Sequence, residues 1–432
     1  MIKDIFKKII IYILRALSKL VLLKYKPRVV AITGSVGKTS TKDAVYAVIS
    51  DIAYVRKSHK SFNSEIGLPL TILGCPNGWS DPVVWVKNIW KGIKLVALPS
   101  QYPKWLILEV GIGKPGDMKR VVSWLKTDAV IVTAIGETPA HIEFFNSRKS
   151  LIEEKALLIK TLKKGGILVL NADDEAVLDM KNKTKHKFIT YGFKEDANFR
   201  GLEDNIFYDD KNYPKGIIYR VDEDGKSMPV VVEGVFGKNH IYASLGALAL
   251  ASGLKFNILD AINRLKKYDV PPGRMRLLKG INESLIIDDT YNSSPYACES
   301  GLKTLHEVKN MGRRIAVLGD MLELGKYTKT AHENIGKIAK ENADVLVVVG
   351  QRAVSIKTGA LDSGMDSERI FDFANSYQAG EFLKDFIKKD DLVFVKGSQG
   401  MRMERAVEQI MKDQDLKLEL LVRQDPEWIA KE

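Results

Sequence analysis

The run from Arg28 to Ser50 constrains this chain more than any other. A short β-branched segment, RVVAIT, leads into Gly34-Ser35-Val36-Gly37-Lys38-Thr39-Ser40 and then into the helical TKDAVYAVIS. Strand, glycine loop and helix stand in the order that a phosphate-binding loop requires. Its glycines let backbone N–H groups converge on phosphate oxygens, and the helix N-terminus adds its positive dipole. Lys38 is placed to reach the β and γ phosphates, and Thr39 to ligate Mg²⁺. Ile32 stands where the usual spacing has its first glycine, so the working form is T-G-x-x-G-K-T. A chance Gly-Lys-Thr turn is the bland alternative, and the flanking strand and helix argue against it.

Beyond the loop, strand-like runs such as WLILEVGI, AVIVTAIG and GILVLNAD alternate with helical stretches. This pattern predicts an α/β fold built on a doubly wound, mainly parallel sheet. The expected ATP-binding domain occupies residues 28–272, with the polar stretch from about Asn198 to Val235 read as hairpins appended to it. Pro271-Pro272-Gly273 breaks the chain. SLIIDDTY, RRIAVLGD, DVLVVVG, RIFDFA and DLVFVKGS then alternate with helices such as TAHENIGKIAKEN, which predicts a smaller Rossmann-like domain over residues 273–432.

Charge is concentrated at one end. The chain carries a net +12, and residues 1–28 hold eight basic residues against Asp4, a net +7. No other stretch joins basic residues to stacking aromatics, so nucleic acid is not an expected partner. Residues 1–27 form a predicted basic amphipathic helix whose interrupting charges, Lys7, Lys8, Arg15 and Lys19, exclude a transmembrane span. At about 100° per residue, Lys8, Arg15, Lys19 and Lys26 share one face and Ile5, Phe6, Ile9, Ile13, Ala16, Leu17 and Leu20 the opposite one. Lys24, Ile11 and Leu22 break the pattern. Two readings stay open: a helix lying in an anionic membrane interface, or a helix docked on the protein's own core or on a second subunit. Cys75 and Cys298 are far apart and offer neither a disulfide framework nor a zinc spacing, which fits a reducing cytoplasm.

Further segments resemble, in order, those of the Mur ligase family. They are SFNSEIGLPLTIL, LILEVGIGKPGDM, IGETPAHIEFF and GGILVLNADDE, then IIDDTYNSSPYACESGLKTL, RRIAVLGDMLELG and FVKGSQGMRME. The likeness runs from about Val29 to the end of the last segment, and the last three resemble the D-alanyl-D-alanine-adding (MurF) branch. The resemblance implies an ATP-dependent amide ligase that passes the γ-phosphoryl group to a carboxylate, giving an acyl phosphate that an amine attacks. The implied substrates are a peptidoglycan precursor peptide and D-Ala-D-Ala, the implied cofactors ATP and two Mg²⁺ ions, and the implied state a monomer.

Site residues follow from the same resemblance. Lys38 would bind the terminal phosphates, Thr39 the first Mg²⁺, and Glu109 and His141 would supply ligands near the γ-phosphate. Carboxylate oxygen suits Mg²⁺, whereas histidine nitrogen is an unusual partner for it. Lys155 matches the family lysine that reacts with CO₂ to give a metal-ligating carbamate; without that match it reads as a solvated helix lysine. Arg274, Asp289 and Asn292 fall where the second domain closes over ATP, with Lys396 and Ser398 as further closing contacts. In GKNHIYASLGALALA the family's His-Asn pair is reversed as Asn239-His240, which puts the adenine-side contact of Asn239 in question.

Two departures bear on the acceptor. MurF enzymes carry a uridine-nucleotide-binding domain ahead of the loop, where this sequence has 27 residues. The stretch from Cys75 to Trp105 is rich in tryptophan and lysine, with Trp79, Trp85, Trp90 and Trp105 beside Lys87, Lys91 and Lys94; buried packing is its bland reading. A ligase acting on a different or lipid-linked carboxylate is therefore one alternative. A non-catalytic, membrane-associated ATP-binding subunit is another, and such a subunit has no need of Lys155 and a second metal.

Overall fold

The computed structural model describes residues 2–59, 62–139, 141–309 and 312–430, and no side chain before Lys8 nor that of Glu427. Ser61 and Ala140 of the motif segments, and the side chains of Ile5 and Phe6 on the predicted apolar face, lie outside the described set.

Two sheets organise the chain. In the first, β1 (Arg28–Thr33), β2 (Val55–Lys57), β3 (Trp105–Glu109), β4 (Thr127–Val132), β5 (Leu162–Asn171) and β6 (Phe188–Gly192) are parallel. Their order is β2-β3-β1-β4-β5-β6, so the loop-bearing strand is central and its C-terminal end opens where neighbouring crossovers diverge. The strands read as continuous β-branched and leucine runs because both faces are covered; β3 is buried along its whole length.

The predicted appended hairpins are instead part of this sheet. β7 (Phe199–Tyr208) pairs parallel with β6 through Tyr191–Phe199 and Gly192–Arg200, and β8 (Pro214–Glu223) and β9 (Lys226–Glu233) continue antiparallel from it, giving nine strands. Inward-facing Phe199, Tyr219, Val221, Val230 and Val232 extend the core beneath the helix Lys238–Gly253. A polar stretch with alternating apolar residues thus finishes a sheet rather than standing beside it.

The second sheet has the order β10-β11-β15-β12-β13-β14, formed by β10 (Arg276–Lys279), β11 (Leu285–Asp289), β12 (Arg314–Gly319), β13 (Val345–Val349), β14 (Ile370–Phe373) and β15 (Leu392–Lys396). Only the β10–β11 pair is antiparallel. The chain passes between the sheets near Arg274. There Val235 and Arg276 form an isolated bridge, and Phe236 N–H donates to the Met275 carbonyl at 3.2 Å.

The N-terminal helix α1 (Ile2–Tyr25) docks on the protein itself, against α3 (Gly67–Leu73) and α4 (Pro82–Ala97). The face it buries is not the predicted one: Ile10, Leu14, Ser18 and Val21 are inside, whereas Ile9, Ala16 and Leu20 are exposed. Lys24, off the basic face, explains the rotation. Its ammonium donates to the carbonyls of Leu95, Val96 and Leu98 at 3.0, 3.0 and 2.6 Å, capping the C-terminus of α4. Tyr25 stacks on Tyr102 with ring centroids 4.6 Å apart and donates to the Leu95 carbonyl. Trp85 and Trp105 are core residues, as the bland reading had it, but Trp79 and Trp90 are exposed.

Candidate active site

At the end of β1 the chain turns through Gly34, where no side chain fits. A Cβ on Gly34 would lie 1.9 Å from the Thr133 hydroxyl of the neighbouring β4 crossover. That hydroxyl donates to the Val36 carbonyl at 2.6 Å, and the Ser35 and Val36 N–H groups both donate to the Ala134 carbonyl, at 2.7 and 3.0 Å. These two amides, expected on phosphate, are therefore engaged by the scaffold. They brace the loop, and the donors left for an anion are those heading α2 (Lys38–Ser50), ahead of the bond from Thr41 N–H to the Gly37 carbonyl. Ser35 contributes differently: its hydroxyl is buried without a hydrogen-bond partner.

Lys38 reaches back to the Ser35 carbonyl at 3.1 Å. Burial lowers its pKa, the Glu109 carboxylate opposes that shift and the Arg274 charge adds to it. The Thr39 hydroxyl donates to Glu109 Oε2 at 2.9 Å and accepts from Arg274 at 3.0 Å. Asn63 holds the other carboxylate oxygen, Oε1, at 3.0 Å. Strand β3 thus delivers Glu109 beside the α2 hydroxyl, and a residue from beyond the first sheet closes on the pair.

Lys155, in the helix Arg148–Ala156, points into the same space and donates to the Gly34 carbonyl at 2.9 Å. Burial, reinforced by the Lys38 charge, drives its pKa well below that of an ordinary lysine, a shift toward the neutral amine. It is no solvated helix lysine. His141 sits in left-handed backbone (φ 69°), and its Nδ1 lies 2.5 Å from Glu323 Oε2 on the loop after β12. Burial lowers its pKa against the pull of that carboxylate. The structure thus gives His141 a carboxylate partner across the two halves of the molecule.

From the second half, Arg274 lies over the Tyr291 ring at 3.9 Å, and its Nε is buried without a partner. Lys396 donates to Asp289 Oδ2 at 2.5 Å and to the Asn292 carbonyl at 2.9 Å. The Ser398 hydroxyl accepts from Leu322 N–H at 2.8 Å, which makes it a loop anchor. Asn239 lines a small cavity with Gly37, Ser40, Asp289, Asn292 and Lys396. Its neighbour His240 turns inward, bonding the Tyr268 hydroxyl at 3.0 Å and the Arg274 carbonyl at 2.7 Å; burial pushes its pKa down to about 4. The reversed pair therefore keeps Asn239 at the site and spends the histidine on positioning Arg274.

The cleft beside the glycine loop, of about 490 Å³, brings together Gly34, Lys38, Glu109, His141, Lys155 and Arg274. Thr39 lies just behind this wall, buried between Glu109 and Arg274. Asn63, Tyr291 and Glu323 were not singled out from sequence. All three lie within the motif segments that resemble the family, Glu323 in RRIAVLGDMLELG, but only the fold brings Glu323 to His141.

The described residues fit a nucleoside triphosphate with magnesium. The buried Ser35 hydroxyl and Arg274 Nε lack partners beside an anion-binding helix terminus, and two hard oxygen donors, of Thr39 and Glu109, stand 2.9 Å apart.

Residues 32–85 and 88–251 match the Mur ligase middle domain, and residues 273–399 match the Mur ligase glutamate ligase domain. The chain belongs to the Mur ligase family. A UDP-N-acetylmuramoyl-tripeptide--D-alanyl-D-alanine ligase of Bacillus subtilis is 28% identical over 403 residues, covering 92% of this chain and 79% of the relative. The ligase of the same name from Escherichia coli is 26% identical, covering 89% and 77%. The crystal structure of MurF from Thermotoga maritima in complex with ADP superposes with a TM-score of 0.76 at 25% identity, covering 92% of this chain and 83% of that one. This Mur ligase is thus of the MurF type, an ATP-dependent ligase, with the α/β architecture expected from sequence.

Proposed function

We propose that the protein joins D-Ala-D-Ala to the terminal carboxylate of a peptidoglycan precursor peptide, as a monomer in the cytoplasm where ATP is made. The observation that carries this reading is the convergence of Lys38, Glu109, Lys155 and Arg274 from four separate segments on one cleft. The names of its relatives supply the substrates.

Forming an amide from a carboxylate requires a better leaving group than oxide. A carboxylate oxygen of the acceptor attacks the γ-phosphorus of ATP, the bond to the β-phosphate oxygen breaks, and ADP leaves. The amine then attacks the acyl carbon, phosphate departs, and the ammonium formed loses a proton. Lys38 and Arg274 offset the charge that develops on the transferring phosphoryl oxygens, and the amides heading α2 orient them. Asn63 keeps the Glu109 carboxylate aimed at Thr39. Magnesium would supply charge neutralisation, the first ion held by Thr39 and Glu109 and the second by His141 and a carbamate on Lys155. What supports the carbamate is a buried, neutral-leaning amine, the form that adds CO₂ with loss of a proton.

A lipid-linked acceptor is the second reading, favoured by Ile11 of α1, which lines the same cleft. The test is phosphate release. UDP-N-acetylmuramoyl-tripeptide and D-Ala-D-Ala together should liberate phosphate from ATP, neither alone should, and Lys38→Ala should abolish release while the protein stays folded. Release with lipid-linked peptide only would select the second reading. Release indifferent to the amine would overturn both.

A further inference from the structure

The docking of α1 leaves a surface that the chemistry of the cleft does not use. On α1, Ile9, Tyr12, Leu20 and Leu23 are 52, 66, 47 and 70% exposed, and on α4, Val83, Val86, Trp90 and Ile93 are 58, 66, 57 and 41% exposed. Each set recurs at helical spacing, so each helix carries an apolar stripe facing away from the core. Single exposed leucines need no explanation, but two adjoining stripes on packed helices do.

The stripes belong to one surface. The helices run parallel: Leu17 lies against Gly92, where an added Cβ would be 2.8 Å away, and Lys24 further along reaches Leu95 and Leu98. At about 100° per residue, Leu17 and Lys24, which touch α4, lie on the same side of α1 as Ile13 and Leu20. The α1 stripe therefore borders α4, and Lys8, Arg15 and Lys19 form its far edge; Lys26, expected on the same face, lies past the helix end in left-handed backbone (φ 46°). On α4 the order is mirrored, with Lys87, Lys91 and Lys94 along the edge remote from α1. An apolar strip rimmed by cations on both sides results, and the only acidic residue within either helix is Asp4. Cations also sit over exposed rings, Arg15 over Tyr12 at 5.7 Å and Lys94 over Trp90 at 5.6 Å.

We propose that the exposed faces of α1 and α4 together form a docking surface for an anionic lipid bilayer. Apolar side chains and ring-borne tryptophan and tyrosine suit the boundary between acyl chains and headgroups, and lysine and arginine rims suit anionic headgroups. A second copy of this chain is the poorer occupant, because a two-fold pairing of this surface brings cationic rims together. Neither helix crosses the bilayer; among the described residues no helix is long and apolar enough to do so. Helix α1 reaches the active-site cleft from its other side, through the half-buried Ile11, and Trp79, just ahead of α4, lines the cavity beside that cleft. Lipid binding would thus hold the cleft close to the membrane, whichever carboxylate is joined.

The decisive experiment acts on α4, since a lone amphipathic α1 would not need it. Full-length protein should co-sediment with vesicles of equal parts phosphatidylglycerol and phosphatidylcholine at low salt, and poorly with phosphatidylcholine alone or at high salt. Trp90→Asp with Ile93→Asp, both at exposed positions, should weaken binding by about tenfold or more, with unchanged circular dichroism and unchanged phosphate release in solution. Bromine-labelled lipid should quench tryptophan emission, and Trp90→Phe should remove most of that quenching. Full binding by the double variant, or no binding by the parent at low salt, would overturn the proposal. So would a lipid-free dimer that the double variant dissociates, which would assign the face to a second copy.

Discussion

Lys155 shows how much a single side chain depends on its setting. On the surface of an ordinary helix its ammonium would be solvated and inert; burial and the nearby Lys38 charge push it toward its neutral form. We expect Lys155→Ala to lower turnover by on the order of 100-fold or more and millimolar-range formate or acetate to restore part of it by supplying carboxylate oxygens. Unchanged turnover without additive would remove Lys155 from the site. His240 makes a pH-dependent case. Its folded pKa, about 4, lies below the ordinary 6.5, so the unfolded chain binds the extra proton in between. Its contribution is present above pH 6.5 and is lost as pH falls toward 4, on the order of 2–3 kcal/mol across that window. Denaturant melts should show the His240→Gln variant losing stability less steeply than the parent between those pH values. Parallel profiles would mean that His240 does not titrate in this way.

At the scale of elements, the second sheet depends on one close helix contact. The helices Thr328–Asn342 and Val354–Asp362 approach until Gly336 faces the Ile356 carbonyl and Gly359 the Glu333 carbonyl; a Cβ on either would sit 2.0 Å from the opposing oxygen. Backbone on both sides leaves nothing flexible to yield. Gly336→Ala should therefore destabilise the protein by about 1–3 kcal/mol or more, visible as a lower denaturant midpoint, whereas alanine at the open Gly364 turn would report only backbone strain. A midpoint within error of the parent for Gly336→Ala would refute the close packing. The same physics at Gly34 makes the phosphate-binding loop a rigid shelf held by Thr133 rather than a flexible flap.

The whole molecule is joined at its site. Arg274 stands on the crossing between the sheets, bonds Thr39 of the first half, lies over Tyr291 of the second, and is held from behind by His240 through its own carbonyl. A ligand that engages the guanidinium should therefore stabilise both halves together. ATP at a hundredfold excess over its Kd contributes about 2.7 kcal/mol to a folded state that alone binds it. We expect Arg274→Ala, which keeps the carbonyl contact to His240, to lose at least half of the ATP-induced rise in Tm seen for the parent under the same conditions. An equal rise would place Arg274 outside the nucleotide site.

Sequence alone determined what rests on local order. The strand, glycine loop and helix around Lys38 were legible because a phosphate-binding loop is a contiguous motif, and the parallel strands because both-face burial writes itself as unbroken Val, Ile and Leu runs. Spacing located Glu109, Lys155, Arg274 and Asn292 only through resemblance, since the space that unites them is not in any one segment. Tertiary structure decided the rest. It turned the Ser35 and Val36 amides onto Ala134, gave His141 to Glu323, merged three polar strands into the main sheet, and rotated α1 so that Lys24 meets the carbonyl end of α4. Each outcome is a pairing between groups distant in the chain. Periodicity reports which residues share a face, but the partner that face meets is chosen by packing in three dimensions.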